Sequence, residues 1–165
     1  MSDPVKRSFP PVVDSATRVL VLGSLPGERS LAEQRYYAHP QNQFWRLMSP
    51  VAGADLVPLG YETRLETLRA AGIGLWDVVA HARRTGSSDA AIRDLAANDL
   101  AALVTTLPQL RAIGFNGATA LRHGKAQLGA LASTYAIVPL PSSSPLHTVG
   151  AAAKQQAWLA LADHL

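Results

Sequence analysis

The chain has 165 residues, no cysteine and a formal net charge of +3. The lack of cysteine excludes disulfide bonds, thiolate metal sites and cysteine nucleophiles. Hydrophobic residues make up 48% of the chain and charged residues 16%, a balance that excludes a disordered protein and is typical of one globular domain. The small basic excess is compatible with a polyanionic ligand, although many proteins without such a ligand share it.

The N-terminal residues carry no recognisable targeting signal. Residues 1–15 lack the apolar core of a signal peptide, and no apolar run approaches the roughly 18 residues of a membrane span. We therefore expect a single domain over residues 1–165 in the cytoplasm, with residues 1–11 as a flexible segment.

Short apolar runs that predict strands alternate along the chain with stretches that repeat apolar residues at helical spacing. The predicted elements are a strand at 18–23, helices at 44–51 and 61–68, a strand at 73–79, a helix at 100–107, strands at 111–115 and 135–140, and a helix at 158–165. Pro108 ends the third helix. This alternation predicts an α/β fold of three layers (α-β-α) with a central four-stranded parallel sheet.

A ligand is expected at the carboxyl ends of these strands, because open parallel sheets bind ligands along that edge. Four segments rich in Gly, Pro and polar residues leave this edge: residues 23–27, Asp77, residues 116–117 and residues 141–147. Turn formation alone explains part of this composition. The number of hydrogen-bonding side chains at one edge nevertheless favours a binding site.

The first segment, which we call the GSLPG loop (residues 23–27), allows a ligand to approach its backbone closely because of its two glycines. Tyr36 and Tyr37 follow this loop. An aromatic ring beside a polar loop can stack on a flat base. Packing in the core or at its rim is the alternative, and for one of the two tyrosines packing is favoured.

Three further polar residues have both a structural and a functional interpretation. Asn42 precedes a predicted helix, so it either caps that helix or uses its amide to orient water or a base. Asp77 ends an apolar strand, where burial would raise its pKa toward the range of a general base, or it caps the next segment. Asn116 either occupies a turn with positive φ or reads a base edge.

The last segment, which we call the serine loop (residues 140–148, LPSSSPLHT), carries three serines between two prolines. A stiff loop of hydroxyl donors can hold phosphates and push a small apolar wedge into stacked bases. His147 would then lie at the site, either as a neutral hydrogen-bond donor or protonated against phosphate. A stiff surface connection is the alternative.

Several chemistries lack their motifs in this chain. The five histidines show neither the HxH nor the HExxH spacing of a zinc site. There is no GxSxG turn for a serine hydrolase, no Gly-Lys-Ser/Thr phosphate loop, and no GxGxxG after the first strand. The sequence therefore disfavours a zinc enzyme, a serine hydrolase and a dinucleotide-dependent enzyme.

Two segments resemble motifs of the uracil-DNA glycosylase superfamily. Residues 23–45 (GSLPGERSLAEQRYYAHPQNQFW) resemble its first motif, and the serine loop resembles its second, DNA-inserting motif, with FNG at residues 115–117 between them. The resemblance covers residues 12–165. The GSLPG loop lacks the Asn that the mismatch-specific uracil branch has in its GxNPG segment, and this form, together with Asn42 and the Trp76-Asp77 pair, looks more like the hypoxanthine-DNA glycosylase branch.

The resemblance implies roles for the matching residues. Tyr37 would stack on a flipped base, Asn42 would be a catalytic amide, and Asn116 would be a second amide near the base, in a pocket that includes Gly23 and Ser24. The catalytic role predicted for Asp77 rests on its position at a strand end and not on the resemblance. The residues expected to contact DNA are Pro26, Gly27, His39, Ser142, Ser143, Ser144, Pro145, Leu146 and His147.

The implied reaction is hydrolysis of the N-glycosidic bond of a deaminated base, hypoxanthine, uracil or both, flipped out of double-stranded DNA in base excision repair. Donors would stabilise the charge on the leaving base, while Asn42 or Asp77 orients water or stabilises the sugar cation.

This reaction needs no metal or organic cofactor. The motifs contain no amine nucleophile, so the enzyme would be monofunctional. We also expect a monomer that acts at the nucleoid. Two alternatives remain open: a non-catalytic domain that binds damaged DNA, and a nucleoside hydrolase-like enzyme on the same class of fold.

Overall fold

The computed structural model describes residues 5–147 and 150–165. Its strands are β1 (Val5–Arg7), β2 (Val19–Gly23), β3 (Ile73–Asp77), β4 (Val79–Arg83), β5 (Arg93–Ala97), β6 (Ala112–Asn116) and β7 (Ala136–Leu140). Its α-helices are α1 (Glu28–Glu33), α2 (Phe44–Ala52), α3 (Tyr61–Ala70), α4 (Leu100–Val104), α5 (Ala118–Leu128) and α6 (Ala151–Leu159). Short 3₁₀ turns cover Asp89–Ala91, Gly129–Ser133 and Ala160–His164.

The central sheet has four parallel strands in the order β3-β2-β6-β7, which confirms the predicted fold class. Its register places Gly23 beside Asp77 and Asn116 beside Leu140. Because Leu22 pairs with Phe115, Gly23 and Asn116 also end at the same level of the sheet. The residues that leave the strands thus start from one common edge.

The sheet is covered on both faces, as the continuous apolar run of β2 requires. Val19 and Val21 point into a core shared with α2, α3 and α6, whereas Leu20 and Leu22 point into a second core shared with α4 and α5. All four side chains are fully buried. Each such burial stabilises the fold by about 1.5–3 kcal/mol. Because its side chains enter both cores, β2 lies at the centre of the three layers.

A second, antiparallel sheet of order β1-β4-β5 was not predicted from the sequence. The predicted strand at 73–79 is in fact two strands, because β3 ends at Asp77 and the chain leaves the central sheet to form β4. Val79 and Ala82 pack on Leu25 in a small separate core. This sheet therefore stands beside the GSLPG loop.

The segment at residues 1–11, expected to be flexible, is packed from residue 5 onward. β1 pairs with β4, Trp76 Nε1 donates to the Phe9 carbonyl (3.0 Å), and Tyr36 Oη donates to the Pro10 carbonyl (2.8 Å). The prolines of this segment interrupt any strand or helix pattern in its sequence. The residues that it contacts lie far away along the chain, so local patterns could not predict its packing.

The helices also differ in part from the prediction. α1 and α5 were not predicted, because α1 is only six residues long and the buried stripe of α5 consists of Ala120, Gly124 and Leu128, of which only Leu128 is large and apolar. The C-terminal helix begins earlier than expected, at Ala151, and a 3₁₀ turn follows it. None of the helices in the described residues is long and apolar enough to cross a membrane.

Candidate active site

A cavity of about 800 Å³ opens at the carboxyl edge of the central sheet. Every residue that the sequence analysis proposed for the site lines this cavity. They are Gly23, Ser24, Pro26, Gly27, Tyr37, His39, Asn42, Asp77, Asn116, Ser142, Ser143, Ser144, Pro145, Leu146 and His147. Thr148, the last residue of the serine loop, lies outside the described residues.

The two adjacent tyrosines have different environments. Tyr36 is buried and packs edge-on against Phe9, whereas the Tyr37 ring lies parallel to Phe44 with 3.8 Å between ring centroids. Tyr37 has a left-handed backbone (φ 53°), which turns the chain between α1 and α2. Burial and the nearby Asp77 raise the pKa of the Tyr37 phenol, so its hydroxyl remains protonated. Tyr37 is thus a ring held rigidly at the cavity wall.

Asn42 is not the N-cap residue of α2, but its side chain supports the first turn of that helix and lines the cavity. Gln43 is the N-cap residue of α2, yet Asn42 Oδ1 accepts a hydrogen bond from the Phe44 backbone N–H (3.0 Å), which the helix leaves unpaired. A carbonyl oxygen has two lone pairs, so this oxygen can accept a second hydrogen bond from water. Both interpretations of Asn42 are therefore compatible.

Asn116 acts as a clamp between β6 and the serine loop. Its Nδ2 donates to Ser143 Oγ (2.9 Å) and to Tyr37 Oη (3.3 Å), while its Oδ1 accepts from the Ser143 backbone N–H (2.9 Å). It is not in the positive-φ turn considered from the sequence, because Gly117 takes that conformation (φ 93°). Both N–H groups of the Asn116 amide are used within the protein, so a base would have to displace one of these bonds or use the second lone pair of Oδ1.

The serine loop is ordered by its own hydroxyl groups. Ser142 Oγ accepts from the Ser144 N–H and Ser144 Oγ accepts from the Leu146 N–H, both at 3.1 Å. Each hydroxyl hydrogen of these two serines remains a potential donor to a phosphate oxygen. Leu146 lies at the tip of the loop with 66% of its surface exposed, unusual for a large apolar side chain.

The two histidines of the predicted DNA-contact set lie at the rim. His39 is exposed, and its Nδ1 accepts from the Gln41 N–H (3.1 Å). His147 Nδ1 is buried without a hydrogen-bond partner among the described residues. The His147 carbonyl accepts from the buried amine of Lys154 (2.9 Å), which also donates to Gln43 Oε1 (2.9 Å).

Asp77 is a buried carboxyl group at the end of β3. A Cβ atom at residue 23 would lie only 2.6 Å from Asp77 Oδ1, so the carboxyl occupies space that only glycine leaves open. Asp77 Oδ2 has no hydrogen-bond partner among the described residues. Burial, together with the charge of Asp89, raises the pKa of Asp77 to about 7, although the Arg84 guanidinium lowers it.

Asp89 also lines the cavity and was missed in the sequence analysis. Ser24 Oγ donates to Asp89 Oδ1 at 2.6 Å, joining the GSLPG loop to the 3₁₀ turn that precedes β5. The polar stretch at residues 86–89 is a turn signal that could have been noted. Its contact with a residue 65 positions away could not have been predicted.

Arg84, the residue after β4, is another residue that sequence patterns did not reveal. Its guanidinium is fully buried and donates to the carbonyls of Leu25 and Pro26, while its Nε donates to the Gly86 carbonyl (2.9 Å). Arg84 thus anchors the backbone of the GSLPG loop. No group of three His, Cys, Asp or Glu side chains suited to a metal ion occurs within residues 5–147 and 150–165.

Comparison with known families identifies the family of this chain. The model of the Uracil DNA glycosylase superfamily matches residues 10–162, which include the GSLPG loop, Asn42 and the whole serine loop. The chain belongs to this superfamily.

Two curated relatives of this glycosylase come from methanogens. A hypoxanthine DNA glycosylase of Methanosarcina acetivorans is 39% identical over 160 residues, which cover 97% of this chain and 99% of that protein. A hypoxanthine DNA glycosylase of Methanosarcina barkeri is 45% identical over 112 residues, covering 68% and 71% of the two chains. The prediction that the chain is an enzyme, a DNA glycosylase, is confirmed.

A solved structure supports the same relationship. The solution NMR structure of a Methanosarcina acetivorans protein, described provisionally as a uracil DNA glycosylase, superposes on the glycosylase with a TM-score of 0.87. The two are 39% identical, and the match covers 98% of each chain. The fold predicted from the alternation of strands and helices is therefore shared with a member of the superfamily.

Proposed function

We propose that this glycosylase removes hypoxanthine from double-stranded DNA by hydrolysis, as a monofunctional enzyme of base excision repair. One observation carries the proposal: a rigid aromatic ring, Tyr37, and a carbonyl oxygen with a free lone pair, Asn42, face one cavity of about 800 Å³. Such a cavity has room for a purine base. The choice of hypoxanthine rests on the names of the two Methanosarcina relatives.

The serine loop is the element suited to open the duplex. The hydroxyl groups of Ser142 and Ser144 would hold the phosphates that flank the target nucleotide, and the exposed Leu146 would fill the gap left in the base stack. Flipping costs least at a mispaired base, and a deaminated base is mispaired. The flipped base would then stack on Tyr37.

Cleavage of the N-glycosidic bond requires an oriented water and an environment that favours departure of the base. In our proposal, Asn42 Oδ1 accepts a hydrogen bond from the water that attacks C1′ of the sugar. Its other lone pair continues to accept the hydrogen bond from the Phe44 N–H of α2. The fixed position of this amide supplies orientation without reorganisation during the reaction.

The amines near the cavity support a hydrolytic rather than a lyase reaction. Lys154 is buried, is bound to Gln43 and the His147 carbonyl, and does not line the cavity. Lys6 is likewise outside the lining and donates to the Gly86 carbonyl. Lys125, the third lysine of the described residues, is also absent from the lining, so none of the three is placed to attack C1′ and cleave the strand.

The test is single-turnover release of bases from labelled oligonucleotides that contain one hypoxanthine, uracil, xanthine or normal base, in single-stranded and duplex form. Abasic sites are revealed by hot alkali, and the same samples without alkali report lyase activity. We expect hypoxanthine to be released fastest from duplex DNA, with no strand cleavage before alkali.

Other results would redirect the assignment. Faster release of uracil would indicate a uracil enzyme, and hydrolysis of free inosine at a comparable rate would indicate a nucleoside hydrolase. Binding of hypoxanthine-containing duplex without release of any base would indicate a damage-binding domain.

A further inference from the structure

Two carboxyl groups line the cavity, and their environments are different. Asp77 lies against the Gly23 backbone, with one oxygen lacking any hydrogen-bond partner among the described residues. Asp89 is bound by the Ser24 hydroxyl at 2.6 Å and lies near the Arg84 guanidinium. Burial raises the pKa of Asp89 too, but the Ser24 hydroxyl and the Arg84 guanidinium both favour its ionised form, whereas Asp77 Oδ2 has no hydrogen-bond donor among the described residues. Asp89 is therefore the better candidate to carry the negative charge.

The groups that act on Asp77 favour its protonated form. Asp89 contributes a like charge, whereas Tyr36 and Tyr37 are neutral phenols whose own pKa values are raised by burial and by Asp77. Arg84 opposes this effect, but its donors are directed at the carbonyls of the GSLPG loop and at Gly86. A protonated Asp77 would present an O–H donor inside the cavity.

We propose that Asp77 is the proton donor to the leaving purine, and that Asp89, held by Ser24, is the positioning residue that keeps the proton on Asp77. This proposal rests on the excision of hypoxanthine proposed above. As the bond between C1′ and N9 breaks, its electron pair passes to the base and the Asp77 proton passes to N7 of the purine. The water held by Asn42 adds to C1′, and its proton restores the Asp77 acid.

Proton donation by Asp77 would make the reaction selective for purines through their N7 atom rather than through the shape of the cavity. Hypoxanthine has an N7 lone pair and can leave as a neutral base once that nitrogen is protonated. Uracil has no such nitrogen and must leave with its charge stabilised by hydrogen-bond donors. Loss of the Asp77 proton should therefore affect hypoxanthine excision much more than uracil excision.

The experiment is the pH dependence of single-turnover excision, between pH 5 and 9, for the full-length protein and its variants. Because the acid must be protonated, we expect the hypoxanthine rate constant to fall about tenfold per pH unit above pH about 7. Asp89→Asn keeps an oxygen for Ser24 and removes the charge, so the decline should begin at lower pH. Asp77→Asn should remove the decline and slow hypoxanthine release by at least about tenfold at pH 6, with a smaller effect on uracil.

A matched control is Asp94→Asn, which removes a carboxyl group on β5 that is 76% exposed and does not line the cavity. It should leave the pH profile unchanged. Carboxyl ¹³C NMR titration of Asp77 in wild type and in Asp89→Asn measures the interaction without reference to activity. A downward shift of the Asp77 midpoint in the variant supports the proposal.

Three results would overturn it: a flat pH profile for hypoxanthine release, equal losses on hypoxanthine and uracil in Asp77→Asn, or an Asp77 midpoint unchanged by Asp89→Asn. In each case base release by the wild type would leave the proposed function standing. If the wild type released no base from any substrate, both the proposed function and this proposal would be overturned.

Discussion

At the scale of single residues, Asn42 supports the fold and also lies where the proposed chemistry needs an amide. Its Oδ1 accepts from the first helical N–H of α2, and its side chain still lines the cavity. The helix contact fixes the rotamer of the amide, so a water bound to the same oxygen would be held at a defined point.

The two contributions of Asn42 can be separated by mutation. We expect Asn42→Ala to lower the free energy of unfolding by about 1 kcal/mol and to abolish excision. Ser also accepts hydrogen bonds at helix N-termini, so Asn42→Ser should keep most of the stability and still lose excision. Thermal unfolding and single-turnover kinetics measure the two effects. Wild-type excision by Asn42→Ser would show that the amide only supports the helix.

Residue types at strand ends could be predicted from the sequence, but their partners could not. Asp77 and Asn116 were selected because each ends an apolar run, and the register indeed brings both to one edge of the sheet. The hydrogen bonds of Asn116 to Ser143 and Tyr37 join residues 27 and 79 positions apart. Such contacts depend on tertiary geometry, which no local pattern encodes.

At the scale of elements, α5 packs closely against β6. Gly124 of α5 faces the Phe115 ring, and a Cβ at residue 124 would lie 2.1 Å from that ring. Phe115 is fully buried, so the ring has little room to move away. The glycine that weakens α5 as an isolated helix is therefore what allows it to pack on the sheet.

We expect Gly124→Ala to lower the free energy of unfolding by about 1–3 kcal/mol, because overpacking outweighs the gain in helix propensity. The double variant Gly124→Ala/Phe115→Leu should lose less than the sum of its single changes, since Leu leaves room for the new methyl group. Denaturant unfolding provides both values. A stabilised Gly124→Ala would mean that α5 can shift without cost.

The elements that sequence reasoning missed share a physical cause. The four parallel strands were found because each forms a mainly apolar run, whereas β5 (RDLAA) begins with two charged residues and has no buried residue. β1 is three residues long. Both are stabilised by pairing with β4 rather than by their own composition. Because this sheet was missed, so were Asp89, which lines the cavity, and Arg84, which supports the GSLPG loop.

At the scale of the whole molecule, the modest net charge of +3 limits how strongly the protein can attract DNA over a distance. The expected phosphate donors are serine hydroxyl groups, which are neutral and release no counterions on binding. Affinity should then come mainly from short-range contacts in the serine loop and the cavity.

A small number of cation–phosphate contacts should give a shallow salt dependence of binding. We expect the plot of log affinity against log salt concentration to have a slope of magnitude about 3 or less, since each cation–phosphate contact contributes roughly 0.9. Leu146→Ala should weaken binding to a mispaired duplex while leaving the slope unchanged, because it removes an apolar side chain. Fluorescence anisotropy over a salt series measures both. A much steeper slope would reveal an extended basic surface.

The anchoring of the serine loop has a consequence for how this enzyme can evolve. The base of the loop is fixed to α2, since the Gln43 N–H donates to the Ser143 carbonyl and Lys154 bridges Gln43 and the His147 carbonyl. The tip, with Pro145 and Leu146, is exposed and takes no part in this anchor. Mutations at the tip should therefore alter which duplexes are opened while Asn42, the amide proposed to be catalytic, stays in place beside Gln43. The lesion that the enzyme prefers can thus change during evolution without a change in the reaction that it catalyses.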